Sequence, residues 1–214
     1  FKLIKESLEQ QKGGWTLLFS NPIRKTLYLG VLLALIQQLS GINTIIYYAP
    51  TIFKMAGYHS AHAAILTSVG VGVVFVVFTI IALFLIDTLG RRPLLFIGLT
   101  AMTISLGAMS WAFHTHNPHI IKTYAVSGMW LFISGFAISL GPIMWLMIAE
   151  VFPLKVRGLG SSLATCVNWA SNWAVAITFI TLINHGGLDG AFFIFFICSL
   201  LSLLFIYLLI PETK

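Results

Sequence analysis

Residues 63–86 read AAILTSVGVGVVFVVFTIIALFLI and contain no charged side chain. A helix of about 20 apolar residues is long enough to cross the ~30 Å hydrocarbon core of a bilayer. Only a helix can cross as a single segment, because lipid offers no hydrogen-bond partner to an unpaired backbone group. The stretch therefore predicts a membrane-spanning helix.

Five further apolar stretches of similar length lie on either side of it, at 26–50, 94–113, 123–149, 159–183 and 191–210. Of the 214 residues, 58% are hydrophobic and 8% are charged, whereas a soluble domain carries about 25% charged residues. The short loops require neighbouring helices to run antiparallel. The pattern predicts an all-α integral membrane protein with six transmembrane helices.

The two ends of the chain are polar. Residues 1–25 predict the end of a cytoplasmic linker, residues 26–210 a six-helix transmembrane bundle, and residues 211–214 the start of a cytoplasmic tail. Because the sequence opens on Phe1 and shows no signal peptide, we expect the later portion of a longer polypeptide.

Lysine and arginine predict the orientation in the membrane. Ten basic residues lie on the side of the termini and of the second and fourth loops, against Lys54 and Lys122 on the other side. The ten are Lys2, Lys5, Lys12, Arg24, Lys25, Arg91, Arg92, Lys155, Arg157 and Lys214. Positive loops stay inside, so both ends are expected to be cytoplasmic. The net charge of +6 is then explained by basic loops on the inner side of the membrane. We therefore expect no nucleic-acid partner.

Polar side chains inside the first span are the most informative feature, since polar groups are costly in hydrocarbon. They are Gln37, Gln38, Ser40, Asn43, Tyr47 and Tyr48. An unbroken helix would leave some of these side chains facing lipid, whereas a break at Gly41 would let them converge on one cavity. Broken helices at the midplane are where transporters place substrate sites. The alternative is hydrogen bonding between helices.

The fourth and fifth spans carry a second set of such residues. The Gly-Pro pair at 141–142 loosens the fourth span, and Trp145 either stacks on a sugar ring or fills space. In the fifth span, Asn168 and Asn172 share one helical face beside Trp169. Neutral amides and indoles favour an uncharged polyhydroxylated ligand. No His, Asp or Glu lies mid-span, so we expect no enzyme, no metal site and no cofactor.

Charged residues recur where the second and fourth spans end. The segment DTLGRR covers residues 87–92, and EVFPLKVR covers residues 150–157. Acidic and basic side chains in one layer predict a charge network between helices when the cytoplasmic side is closed. The alternative is that these charges act as topology signals only.

Five segments together resemble the C-terminal half of the sugar porter family of the major facilitator superfamily, and most closely its bacterial galactose-type hexose–proton symporters. They are QQLSGINTIIYY (37–48), DTLGRR (87–92), GPIMW (141–145), EVFPLKVR (150–157) and PETK (211–214). They occur in the family's order and spacing over essentially the whole chain. The resemblance implies one half of a major facilitator fold, built as two inverted three-helix repeats.

The resemblance also implies roles for individual residues. Substrate-binding positions are Gln37, Gln38, Asn43, Trp145, Asn168 and Trp169, with Asn172 beside them. Tyr47 and Tyr48 match the extracellular gate, while Asp87, Gly90, Arg91, Arg92, Glu150, Arg157 and Glu212 match the cytoplasmic gate. Many relatives carry a sugar-binding Asn in the second span where this chain has Phe75, which implies altered selectivity or affinity.

The function implied is transport of a neutral monosaccharide, a hexose or a pentose, by alternating access with proton symport. The expected partners are the sugar, the lipid bilayer and a missing N-terminal six-helix half, and the expected location is the bacterial inner membrane. The alternatives are a transporter-like sugar sensor and a non-transporting fragment. The sequence does not separate symport from uniport.

Overall fold

The computed structural model of the protein describes residues 14–58 and 60–209. These residues form eight helices joined by short turns. The helices are α1 (Trp15–Leu18), α2 (Asn21–Leu39), α3 (Ile42–Met55), α4 (Ala61–Leu89), α5 (Arg91–His114), α6 (Pro118–Ile138), α7 (Leu140–Val151) and α8 (Arg157–Leu209).

Six membrane crossings follow from the lengths of these helices. Helices α2 and α3 form one broken crossing, α4 and α5 form one each, and α6 and α7 form a second broken one. Helix α8 has 53 residues, about 80 Å of helix, which is far more than one bilayer needs. Gly187 divides it with φ 68° and ψ −178°, so α8 crosses twice. The prediction of six transmembrane helices is confirmed.

The breaks show an internal repeat. The first and the fourth crossings are each interrupted near their middle, at Gly41 and at Ser139, whereas the described parts of the second, third, fifth and sixth are continuous. Because each repeat has three crossings, an odd number, the second repeat enters the membrane from the opposite side. The six helices therefore form two inverted three-helix repeats.

The helices extend a few residues beyond most of the predicted stretches, and the fourth crossing is broken two residues before its predicted weak point. The first crossing begins at Asn21 rather than at residue 26, because Pro22 in the first turn suits a helix start. The fourth is broken at Ser139, with φ −124° and ψ −97°, rather than at Gly141 and Pro142. Pro142 instead lies in the first turn of α7, where its missing N–H leaves no helical hydrogen bond unmade.

Contacts between helix ends define the two ends of the bundle. Arg91 at the start of α5 bonds Glu150 near the end of α7, and Arg92 donates to the carbonyl of Tyr207 near the end of α8. At the opposite end, His114 lies 3.3 Å from Asp189 beside the kink of α8. The basic loops predicted to be cytoplasmic thus share one end.

Helices α5 and α6 approach most closely through two glycines. A Cβ atom on Gly135 would lie 2.6 Å from the carbonyl oxygen of Gly98, and one on Gly98 would overlap the side chain of Ser139. Small residues at this contact allow the two backbones to pack directly.

We expect Gly98→Ala to destabilise the protein by about 2 kcal/mol, because the added methyl group separates the two helices. Gly72→Ala is the matched control, since a Cβ atom at Gly72 meets no atom within 4 Å. Thermal unfolding in detergent, followed by loss of the monodisperse peak in size-exclusion chromatography, measures the difference. Equal unfolding midpoints for the two variants would contradict the close contact.

Candidate substrate-binding site

The break at Gly41 folds three amide side chains together. Gln37 and Gln38 lie in the last turn of α2, and Asn43 lies in the first turn of α3. Gly41 between them has φ 82°, a left-handed conformation that favours glycine. This break in the helix brings Asn43 close to the last turn of α2, where its Nδ2 donates to Oε1 of Gln38 at 3.0 Å. The predicted break at Gly41 is confirmed.

Asn168 of α8 joins this cluster from the fifth crossing. Its Nδ2 donates to Oε1 of Gln37 at 2.8 Å and to the carbonyl of Ala34 at 3.2 Å. Its Oδ1 accepts a hydrogen bond from Nε2 of Gln38 at 3.0 Å. Asn168 is 3% exposed and the two glutamines are 4% exposed, so these bonds satisfy polar groups that are largely removed from solvent.

Gln37 also connects the two helix breaks. Its Nε2 donates to the carbonyl of Leu140 at 2.9 Å, one residue beyond the break at Ser139. The amide cluster, defined as Gln37, Gln38, Asn43 and Asn168, is therefore held by both broken crossings and by α8. These side chains therefore form hydrogen bonds between helices, which was one of the two alternatives predicted for them.

The amide cluster also lines a cavity, which is the geometry that the other alternative, a substrate site, requires. The cavity has a volume of about 360 Å³, within the range of about 300–1,000 Å³ that is typical of small-molecule sites. It is lined by Gln37, Gln38, Ile42, Asn43, Phe75, Thr79, Phe136, Gly141, Pro142, Trp145, Asn168 and Trp169. None of the described residues around it is charged.

The two indoles lie at the open side of the cavity. Trp145 of α7 is 43% exposed and Trp169 of α8 is 59% exposed. Each indole combines a flat apolar face with one N–H donor. Together with the amides they give the cavity both hydrogen-bonding groups and surfaces on which a ring can stack.

Some residues predicted from the sequence lie outside this cavity. Asn172, one turn beyond Asn168, is buried, and its Oδ1 has no hydrogen-bond partner among the described residues. Tyr48 packs against Phe179 with ring centroids 5.3 Å apart, and Tyr47 is exposed. The cavity unites the amide cluster with Trp145 and Trp169, but not with these three.

Three lining residues were not singled out from the sequence: Ile42, Thr79 and Phe136. Ile42 and Phe136 are apolar residues in apolar segments, so nothing in their pattern separates them from core residues. Thr79 lies four residues after Phe75 on the same face of α4, and that spacing is the signal that could have found it.

At the end predicted to be cytoplasmic, the predicted charge network is only partly formed. Arg91 and Glu150 form an ion pair at 2.9 Å, and Nε of Arg157 donates to the carbonyl of Phe152 at 3.2 Å. Asp87 is exposed and forms no ion pair within the described parts of the chain. Gly90, with φ 90°, allows α4 to turn directly into α5. Glu212 lies outside the described residues.

The chain matches one protein family and several known sugar transporters in sequence. A sequence model of the family described as "Sugar (and other) transporter" matches residues 1–214. The chain is 38% identical to the galactose-proton symporter of Escherichia coli (strain K12), covering 99% of this chain and 46% of the relative. It is 39% identical to the arabinose-proton symporter of Bacillus subtilis (strain 168), covering 100% of this chain and 46% of the relative.

Solved structures agree with these relatives. A crystal structure of a double-tryptophan mutant of XylE matches with a TM-score of 0.85 at 33% identity, covering 99% of this chain and 45% of that chain. XylE, a proton:xylose symporter of the major facilitator superfamily, bound to 6-bromo-6-deoxy-D-glucose matches with a TM-score of 0.79 at 34% identity, covering 88% of this chain and 40% of that one. The chain spans about half the length of the curated relatives it matches.

Proposed function

Because the chain belongs to the sugar transporter family, we propose that it supplies one half of a transporter that carries a neutral monosaccharide, a hexose or a pentose, across a membrane. The chain is a multi-pass membrane protein, and its two inverted repeats form one half of a major facilitator fold. The observation that carries the proposal is the buried amide cluster lining a cavity, with two indoles and without a charge among the described residues.

The hydrogen-bonding capacity left in the cavity matches a polyhydroxylated ligand. Within the described residues, Oδ1 of Asn43 accepts no hydrogen bond, and Oε1 of Gln38 accepts one, from Asn43, although it can accept two. The indole N–H groups of Trp145 and Trp169 are not engaged with other described residues. A sugar hydroxyl both donates and accepts, so it can use these amide oxygens and indole donors together. An anionic ligand would find no cationic partner among the described residues that line the cavity.

The proposed cavity is completed by a second six-helix half. The relatives are about twice as long as this chain, and the indoles of Trp145, Trp169 and Trp173 are 43%, 59% and 69% exposed. Covering this face would enclose the sugar between the two halves. Rocking of the halves would then open the cavity to one side at a time.

The helix breaks and the ion pair suit such a motion. The left-handed residue Gly41 and the break at Ser139 are points where the first and fourth crossings can bend, and both adjoin the amide cluster. The Arg91–Glu150 pair joins α5 to α7 at the end proposed to be cytoplasmic. We assign it, with Asp87, Gly90, Arg92, Arg157 and Glu212, to the cytoplasmic gate, and Tyr47 and Tyr48 to the extracellular gate. We also assign Asn172, one turn beyond Asn168, to the substrate site as completed by the second half.

Proton symport is the coupling we propose, because several relatives are proton symporters for galactose or arabinose. The acidic residues of the described chain, Asp87, Glu150 and Asp189, all lie at helix ends or beside the kink rather than at the cavity. The acid that binds the coupled proton is therefore assigned to the other half. We further propose that the protein catalyses no reaction and resides in the bacterial inner membrane with both ends of this chain in the cytoplasm.

Uptake of radiolabelled sugar tests the proposal. The full-length polypeptide containing this chain is reconstituted into liposomes and offered D-galactose, L-arabinose and D-xylose, with and without a protonophore. We expect saturable uptake of at least one sugar that falls when the proton gradient is dissipated. Residues 1–214 alone are expected to give none, because the polar cavity would face lipid. Sugar binding without uptake by the full-length polypeptide would instead indicate a sensor.

A further inference from the structure

We infer that the cavity selects a monosaccharide with one hydroxyl-free edge, namely a pentose or a deoxyhexose, and that Phe75 sets this preference. The inference rests on the proposed function and names the substrate class within it. It follows from a difference between two parts of the cavity lining, the amide cluster and the aromatic rings of Phe75 and Phe136.

One wall is formed by aromatic rings. Phe75 of α4 stacks against Phe136 of α6, with ring centroids 6.2 Å apart and an interplanar angle of 23°. Phe136 is 6% exposed, and Phe75 is half-buried. Stacking on a largely buried neighbour holds the Phe75 ring at the cavity surface. The buried residue Ile42 adds a further apolar side chain to the lining.

Helix α4 offers no hydrogen-bond donor to the cavity. Besides Phe75, its contribution to the lining is Thr79, whose Oγ1 donates to the carbonyl of Phe75 at 2.7 Å. This bond uses the only hydrogen that the Thr79 side chain can donate. The donors and the open acceptors of the cavity belong to the amide cluster and to the indoles, on the other helices.

Because Phe75 and Phe136 line the same cavity, a ligand held by the amide cluster places another of its edges against these rings. A hydroxyl on that edge would lose its water and gain no donor from the ring wall. A CH₂ or CH₃ group in the same place would bury apolar surface against the rings. Removing that one hydroxyl should therefore strengthen binding, whereas removing a hydroxyl that contacts the amide cluster should weaken it.

The test measures competition against uptake of the preferred radiolabelled sugar by the full-length transporter. The competitors are D-glucose and D-galactose, their single deoxy derivatives at carbons 2, 3, 4 and 6, and the matching pentoses D-xylose and L-arabinose. We expect one position at which loss of the hydroxyl, or of the hydroxymethyl group, improves competition about tenfold over the parent hexose.

Two variants link that position to the ring wall. Phe75→Asn provides a donor and is expected to abolish the advantage of the same analogue, while Phe75→Leu, the matched apolar control, keeps it. The inference is overturned if every deoxy analogue competes less well than its parent in the unaltered protein, or if Phe75→Asn leaves the order of competitors unchanged. Absence of binding by all parent sugars would overturn the proposed function itself, which is a distinct result.

Discussion

Replacing Asn168 with alanine is expected to destabilise the sugar-free protein by about 3 kcal/mol and to weaken monosaccharide binding by about 100-fold. Asn168 donates to Gln37 and Ala34 and accepts from Gln38. Its removal leaves hydrogen-bonding groups of two buried glutamines without their main partner. The glutamines would then reorient, so the groups that line the cavity would no longer be held in place. Thermal unfolding and sugar competition measure the two effects.

Asn172→Ala is the matched control for stability. Asn172 lies one turn further along the same helix and is buried, but its Oδ1 has no hydrogen-bond partner among the described residues. In the absence of sugar, the Asn172→Ala variant is therefore expected to have nearly the same unfolding midpoint as the unaltered protein. If both variants lowered the midpoint equally, the hydrogen bonds of Asn168 would not be what holds the amide cluster together.

Substituting Gly41 is the second change with a large expected effect. Gly41→Ala should destabilise the protein by about 3 kcal/mol, from about 1–2 kcal/mol for a left-handed residue bearing a Cβ atom and the rest from overpacking. A Cβ atom there would lie 2.8 Å from the ring of Phe195. Because the break positions Asn43 over Gln38, we also expect sugar uptake to be lost. Unfolding midpoints and uptake rates provide the measurements.

Gly57→Ala separates the cost of the left-handed backbone conformation from the cost of overpacking. Gly57 also has a positive φ, of 94°, but a Cβ atom there would meet the flexible end of Lys122 at 3.1 Å. It should therefore show the cost of the backbone conformation with little overpacking, and it lies away from the amide cluster. Equal destabilisation by the two variants would show that the contact between Gly41 and Phe195 contributes nothing.

The crossings could be predicted from sequence because their signal is local. Residues 63–86 identify a transmembrane helix on their own, since length and composition are all that the bilayer requires. The break at Ser139 could not be predicted in this way. Gly141 and Pro142 mark a weak point in the sequence, but both lie in the first turn of α7, and the irregular residue is Ser139, just before that helix.

The candidate site was predictable where a polar residue stands in an apolar segment. Gln37, Gln38, Asn43 and Asn168 stand out because lipid makes them costly. Which amide donates to which could not be predicted, because it depends on how α8 packs against α2. The ring of Phe136 was missed because an apolar residue in an apolar segment carries no distinguishing signal.

Charges at the helix ends show the same limit. The sequence predicted that Arg91 and Glu150 share a layer, and the structure pairs them at 2.9 Å. The sequence also predicted that Asp87 belongs to this charge network. In the structure Asp87 is exposed at the last turn of α4 and forms no ion pair with another described residue. Spacing along the chain predicts the layer of a charge, but packing between helices decides its partner.

The most direct test is a cryo-electron microscopy structure of the full-length transporter with the monosaccharide that it takes up. We predict sugar density in the cavity, with hydroxyl groups within hydrogen-bond distance of Gln38 and Asn43 and a ring face against Trp145. Sugar bound elsewhere, with the four amides bonded only to one another and the cavity empty, would show that these side chains hold helices together rather than bind a substrate.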